Sequence, residues 1–283
     1  MSPGYQDQAE SLRSQFKKSD TKIISISGGK GGVGKSVFAV NLSAELAKRE
    51  KSVLLFDSDA GFANAAILLG KNVKYNMSDY IDGRATLDQC IQETKYGVDV
   101  ISSGFDFKDW KLFQNGFTSS MTEDFFLKAK DHDYLIIDIG AGYSDKLNSF
   151  YLASDKIFLI TIPEPTAIVN AYTLIKALSF IGVHSELDII LNMIREKSEI
   201  EPVKQVIKKT VSNFLGKDIA NFYDVYYDKR VHDSIKSQTP IVNQNINNKF
   251  KKSLELIVDD ILNIEPNNEK SFTKRFKNIF GMS

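Results

Sequence analysis

Short apolar runs alternate along this chain with longer segments in which apolar residues recur every three to four positions, the pattern of strands joined through crossover helices. The runs predicted as strands are Lys22 to Ser27, Val53 to Asp57, Val98 to Ser102, Tyr134 to Asp138, Lys156 to Ile162, Asp188 to Asn192 and Phe222 to Tyr227. Tyr134-Leu-Ile-Ile-Asp138 and Ile157-Phe-Leu-Ile-Thr-Ile162 are largely apolar at successive positions, which implies burial on both faces and a central place in the sheet. Helical periodicity covers Lys35 to Arg49, Thr122 to Lys130, Asp145 to Ala153, Thr166 to Phe180, Glu201 to Leu215 and Lys249 to Leu262. The expected fold class is α/β: three layers, with a mostly parallel twisted sheet between helices on both faces. Such sheets bind ligands beyond the carboxyl ends of their strands, so the residues that follow each strand are where chemistry is expected.

After the first strand comes Ser27-Gly-Gly-Lys30-Gly-Gly-Val-Gly-Lys35-Ser36, and the stretch from Gly29 to Ser36 fits Gly-x4-Gly-Lys-Ser/Thr in full. The glycines let successive backbone N–H groups converge on one point, and the helix that follows adds the partial positive charge of its N-terminus. A nucleoside triphosphate with Mg2+ is the expected ligand, which makes the fold that of a P-loop NTPase. Gly29, Gly31, Gly32, Val33, Gly34, Lys35, Ser36 and the adjoining Val37 are the expected binding residues. Lys35 is expected on the β- and γ-phosphates and the Ser36 hydroxyl on the metal.

Acids stand at two further strand ends: Asp57 and Asp59 in Phe56-Asp-Ser-Asp59, and Asp138 in Ile137-Asp-Ile-Gly140-Ala-Gly142. A single Asp there is equally the sequence of a helix cap or turn, but three behind one phosphate loop point to a metal shell and an oriented water. Asn192 closes another strand, a position that by itself suits a turn residue.

Lys30, a second lysine inside the loop, resembles the signature lysine of the deviant Walker A ATPases, whose members include the division regulator MinD, the partition ATPase ParA and the flagellar-number regulator FlhG. The resemblance implies slow ATP hydrolysis by a homodimer that forms with ATP, Lys30 touching the phosphates of the partner's nucleotide. It also implies that Asp57 and Asp138 join Ser36 around Mg2+, that Asp59 faces the attacking water with Lys30 and Lys35 as the charge-neutralising pair, and that Asn192 lies against adenine. Ile139 departs from the family, several members of which carry a small or polar residue after the strand-end acid.

Pro163-Glu-Pro-Thr-Ala-Ile-Val-Asn-Ala-Tyr172 and Asp7-Gln8-Ala9-Glu10-Ser11-Leu12-Arg13 are similar to elements of the FlhG branch. There the second element is an N-terminal helix that stimulates the signal-recognition-type GTPase FlhF, so Gln8 and Arg13 are implied as partner contacts. By pattern alone, residues 6 to 17 form a short amphipathic helix with Ala9, Leu12 and Phe16 on one face, which better suits packing against its own domain, and only the motif favours a partner. After the linker-like Glu265-Pro-Asn-Asn-Glu-Lys270, Phe272, Phe276, Ile279 and Phe280 share a helical face with Lys274, Arg275 and Lys277 among the polar positions. That helix suits the inner membrane's anionic phospholipid or a groove on the protein itself. The expected organisation is an N-terminal partner helix at 1–20, an ATPase domain at 21–264, and a linker with a membrane-targeting helix at 265–283.

Composition narrows the choices. Lys plus Arg and Asp plus Glu are 36 each, so no global field draws the chain to nucleic acid, although Lys204, Lys208 and Lys209 on one helix leave a local patch. A single cysteine, Cys90, excludes an intrachain disulfide and argues against an iron–sulfur scaffold. No apolar run reaches the roughly 18 residues of a membrane span, so the expectation is a cytoplasmic protein that is peripheral at the inner face of the membrane when ATP is bound. Flagellar switch or transcription-regulator proteins are further partners compatible with the FlhG branch.

Overall fold

The computed structural model describes residues 21–58, 64–104, 119–143, 147–183, 185–216 and 219–263. Its centre is an eight-stranded sheet in the order β3-β4-β2-β5-β1-β6-β7-β8, with β1 Lys22–Ser27, β2 Val53–Asp57, β3 Gln92–Glu93, β4 Val98–Ser102, β5 Tyr134–Asp138, β6 Lys156–Thr161, β7 Glu186–Ile194 and β8 Phe222–Tyr226. Every pairing is parallel except β3 with β4. Strand β1 lies between β5 and β6, and the chain proceeds from it toward one edge and later toward the other, so a crevice opens at the carboxyl end of β1.

Alternate side chains of each central strand feed two cores. Leu54 and Phe56 of β2 and Leu135 and Ile137 of β5 enter one; Val53, Leu55, Tyr134 and Ile136 enter the other. The first core is roofed by α5 Ser119–Lys130, α6 Asn148–Ala153, α7 Pro165–Phe180 and α8 Ile200–Leu215. Phe56 anchors it, with its ring 5.8 Å from those of Phe125 and Phe150. The second core is roofed by α1 Lys35–Lys48, α2 Asn64–Leu68 and α10 Lys249–Asn263. Ile139 is fully buried in the first core, so the departure at that position is a packing choice.

Smaller elements complete the chain. Helices α3 Met77–Ile81 and α4 Leu87–Cys90 each start with a capping box, from Asn76 with Asp79 and from Thr86 with Gln89. They bury Met77 and the Cys90 thiol, whose pKa burial pushes up to about 11. Helix α9 Lys229–Lys236 begins at Asp228, whose carboxylate accepts the Arg230 N–H. The sheet's two margins differ: β3 is two residues long, while β8 carries Phe222 beneath Lys204 and Lys208 and Tyr226 beneath Lys249. None of the described helices is long and apolar enough to cross a membrane.

Candidate active site

The loop between β1 and α1 is shaped by what its glycines must avoid. Gly34 caps α1 at φ 94°, where an L side chain is strained, and a Cβ there would stand 2.6 Å from Asn192 Nδ2. Gly29 lets the loop run against α7: a Cβ on it would lie 2.4 Å from the Asn170 backbone. A Cβ at Gly31 or Gly32 would meet nothing within 4 Å, so the loop is open on that side. Val33 is 1% exposed and pins the loop to the second core; Lys35, 7% exposed, sits at the head of α1 with Ser36 and Val37 after it.

The acids converge on this loop through strand register. Asp57 stands opposite Asp138 across β2 and β5, and Asp138 opposite Ile26 across β5 and β1, one residue before the loop's first Ser27. Both acids are buried, at 0% and 1% exposure. The Asp57 carboxylate accepts the Ala65 N–H at the start of α2 at 2.9 Å, and the Ser58 hydroxyl donates to the Asp138 carbonyl at 2.8 Å. Beyond Asp138 the chain is stitched to the loop, since Gly142 N–H donates to the Gly28 carbonyl at 3.1 Å. Movement after Asp138 is thereby coupled to the phosphate loop. Hydroxyls of Ser27 and Tyr151 meet at 2.6 Å beneath it, and burial holds the Tyr151 phenol neutral by raising its pKa.

The donor set suits a magnesium nucleotide: backbone N–H groups at a helix head and a buried lysine for phosphate oxygens, and a hydroxyl with two carboxylates for a hard cation. Other residues expected at the site behave differently. Asn192 is 5% exposed and its amide N–H donates to the Val33 carbonyl at 2.9 Å, bracing the loop from behind. Lys30 is bound in cis: its ammonium lies 2.7 Å from Glu164 Oε2 and donates to Thr166 Oγ1 at 3.2 Å, at the start of α7. Glu164 was not among the expected site residues. It lies inside the Pro163-Glu-Pro-Thr stretch, but a contact between residues 134 apart has no local signal. Asp59, Gln8, Arg13, Phe272, Phe276, Ile279 and Phe280 lie outside the described residues.

Comparison with known proteins agrees with this geometry. A family model described as "ParA: NUBPL iron-transfer P-loop NTPase" matches residues 19–262. The chain is similar to the antiactivator FleN of Pseudomonas aeruginosa, 29% identical over 78% of this chain and 79% of that one. It is similar also to the flagellum site-determining protein YlxH of Helicobacter pylori, 32% identical over 69% of this chain and 66% of that one. Among solved structures, the septum site-determining protein MinD from Pyrococcus horikoshii, complexed with Mg-ADP, superposes with a TM-score of 0.68 at 23% identity, covering 85% of this chain and 96% of that one.

Proposed function

The chain belongs to the ParA family of P-loop NTPases, and on that premise we propose that this ATPase is a dimerising switch that sets flagellar number or placement. The observation that carries the reading is the glycine loop at the head of α1 with Asp57 and Asp138 in register behind it. The flagellar direction draws support from the similarity to the flagellum site-determining protein YlxH.

In this reading Gly29 and Gly31–Gly34 orient backbone donors on the phosphates, and Lys35 neutralises the charge that gathers on the β- and γ-oxygens. Ser36, Asp57 and Asp138 would hold Mg2+, which would supply further charge neutralisation to the phosphates. Asp59 orients a water for in-line attack. Lys30 leaves Glu164 and Thr166 and reaches the nucleotide of a second copy, which ties ATP to homodimer formation. Burial of both strand-end acids keeps bulk water from competing for these contacts.

Two further contacts belong to the proposal. The tail face of Phe272, Phe276, Ile279 and Phe280 engages inner-membrane phospholipid weakly as one copy and usefully as two, so the ATP-bound dimer is peripheral at the membrane and the monomer cytoplasmic. The N-terminal helix, through Gln8 and Arg13, stimulates an FlhF-type GTPase. The test is sedimentation with anionic vesicles in ATP: the native chain is expected to co-sediment and Lys35→Ala protein to stay in solution. Equal binding by both would refute the coupling. A peptide of residues 1–20 is expected to accelerate GTP hydrolysis by FlhF; no response would favour a division-site role on the same ATPase.

A further inference from the structure

Three large apolar side chains stand exposed on neighbouring helices over the first core: Leu127 on α5, Leu152 on α6 and Phe180 at the end of α7, at 43%, 41% and 78% exposure. Outward positions on such helices ordinarily carry polar groups. On α6 the rule is plainly broken, since Phe150, Tyr151 and Ala153 are buried and Leu152 is left outside them. Each of these helices leads into a strand, α5 into β5, α6 into β6 and α7 into β7, so the three side chains lie toward the amino end of the sheet.

That end is where the chain before Thr21 joins the body. The Thr21 hydroxyl donates to the carbonyl of His132 at 2.8 Å, just past α5, and the Ile23 N–H donates to the Asp155 carboxylate at 2.8 Å, just past α6. The segment after α7 is tied to the same corner through Ser185, whose hydroxyl donates to the Ser154 carbonyl at 2.7 Å. Leu127 and Leu152 each lie about one helical turn back from these contacts.

We infer that the chain's own N-terminal segment covers this face, with Ala9, Leu12 and Phe16 laid across Leu127, Leu152 and Phe180. The reach suffices. Five residues separate Phe16 from Thr21, which span up to about 17 Å when extended. A helix over residues 6–17 is about 18 Å long, and adjacent helices are about 8–10 Å apart, so one such helix crosses from α5 to α7. The C-terminal segment is the poorer fit: α10 packs through Phe250, Leu254, Ile257, Val258 and Ile261 into the core on the opposite face of the sheet, so the chain after Asn263 departs from the other layer. Because docking consumes the apolar face of the N-terminal helix, the segment is withheld from any partner that needs that face until it is displaced. This holds whichever partner the segment serves.

Trypsin acting on the full chain tests the docking, with cleavage after Arg13 followed by intact mass. Leu12→Ser alters the segment, and Leu152→Asp with Phe180→Asp alters the face at exposed positions that leave the core intact; melting temperature checks folding. Each variant is expected to be cut at Arg13 at least tenfold faster than the native chain, with an unchanged sedimentation coefficient. Equal rates in all three proteins would overturn the inference. So would protection lost around Phe272 to Phe280 instead, or a native dimer that the face variants dissociate with no change at Arg13.

Discussion

At the amino ends of the strands Lys156 sits on partners inside the protein, whereas at the carboxyl ends Lys30 sits on partners that solvent reaches. Lys156, its side chain 7% exposed, lies between Asp188 and Glu186 at 2.7 Å each, and Asn221 donates to the other Asp188 oxygen at 3.3 Å. Lys30 at the other end pairs at 2.7 Å with Glu164, yet the two side chains are 36% and 54% exposed. Two ion pairs of equal length thus have unequal worth. Breaking a buried pair strands a desolvated charge, while breaking a wetted one returns both charges to water. The Lys156 pair is a fixed base, and the Lys30 pair is the one that a multiply charged ligand can rearrange.

The largest expected effect comes from attacking the base. Lys156→Met leaves Asp188 buried beside Glu186, and a loss of about 3–5 kcal/mol is expected in urea unfolding, while ATP turnover per folded molecule is retained. A lost turnover at full stability would mean that the two ends are not separable. Next is Lys35→Ala, for which ATP hydrolysis measured by phosphate release is expected to fall about 10²–10³-fold; a drop under threefold would remove Lys35 from the chemistry.

A gentler probe of the base is pH. Burial disfavours a charged His132, but the Asp99 carboxylate at 3.0 Å and the Lys128 carbonyl at 2.7 Å outweigh it, so its pKa is raised above the ordinary 6.5. Its contribution to stability is therefore complete below the unfolded value and is lost as pH rises through the folded one. The melting-temperature gap between the native chain and His132→Gln is expected to be widest on the acid side and to close with rising pH. A gap that widens with pH would reverse the assignment. The smallest effect on stability is expected from Glu164→Gln, under about 1 kcal/mol because the pair is exposed. Under the proposed switch the same variant should dimerise at lower ATP, and an unchanged threshold by analytical ultracentrifugation would make the Lys30 clasp incidental.

Legibility in the sequence followed burial. β2 and β5 were readable to the residue because each is a continuous apolar run closed by an Asp, β1 and β4 because short, largely apolar runs stop at Ser27 and Ser102, and α1 because Lys35 follows a glycine that must cap it. β7 runs beyond the predicted Asp188 to Asn192 at both ends, to Glu186–Ile194, since a partly polar strand margin carries no apolar mark. Helices α2, α3, α4 and α9 were missed: at eight residues or fewer they show too little period, although Asn76-x-x-Asp79 and Thr86-x-x-Gln89 are capping signals that announce two of them. Within the site, the opposition of Asp57 and Asp138 follows from two strands ending in the same residue type on one sheet. The Asn192 amide on Val33 and Glu164 on Lys30 are tertiary contacts of long sequence separation, and composition at those positions says nothing of them.

The margins of the sheet bear on how copies of this chain can meet. A bare strand margin invites another strand to add to it, and such addition repeats without end. Here one margin is a two-residue strand, and on the other Lys208 and Lys249 stand over aromatic rings while Lys204 pairs with Asp224 at 3.0 Å, so charged side chains crowd that strand. Strand addition along the sheet is thereby discouraged, which would leave the pairing proposed at the glycine-loop end without a fibrous competitor.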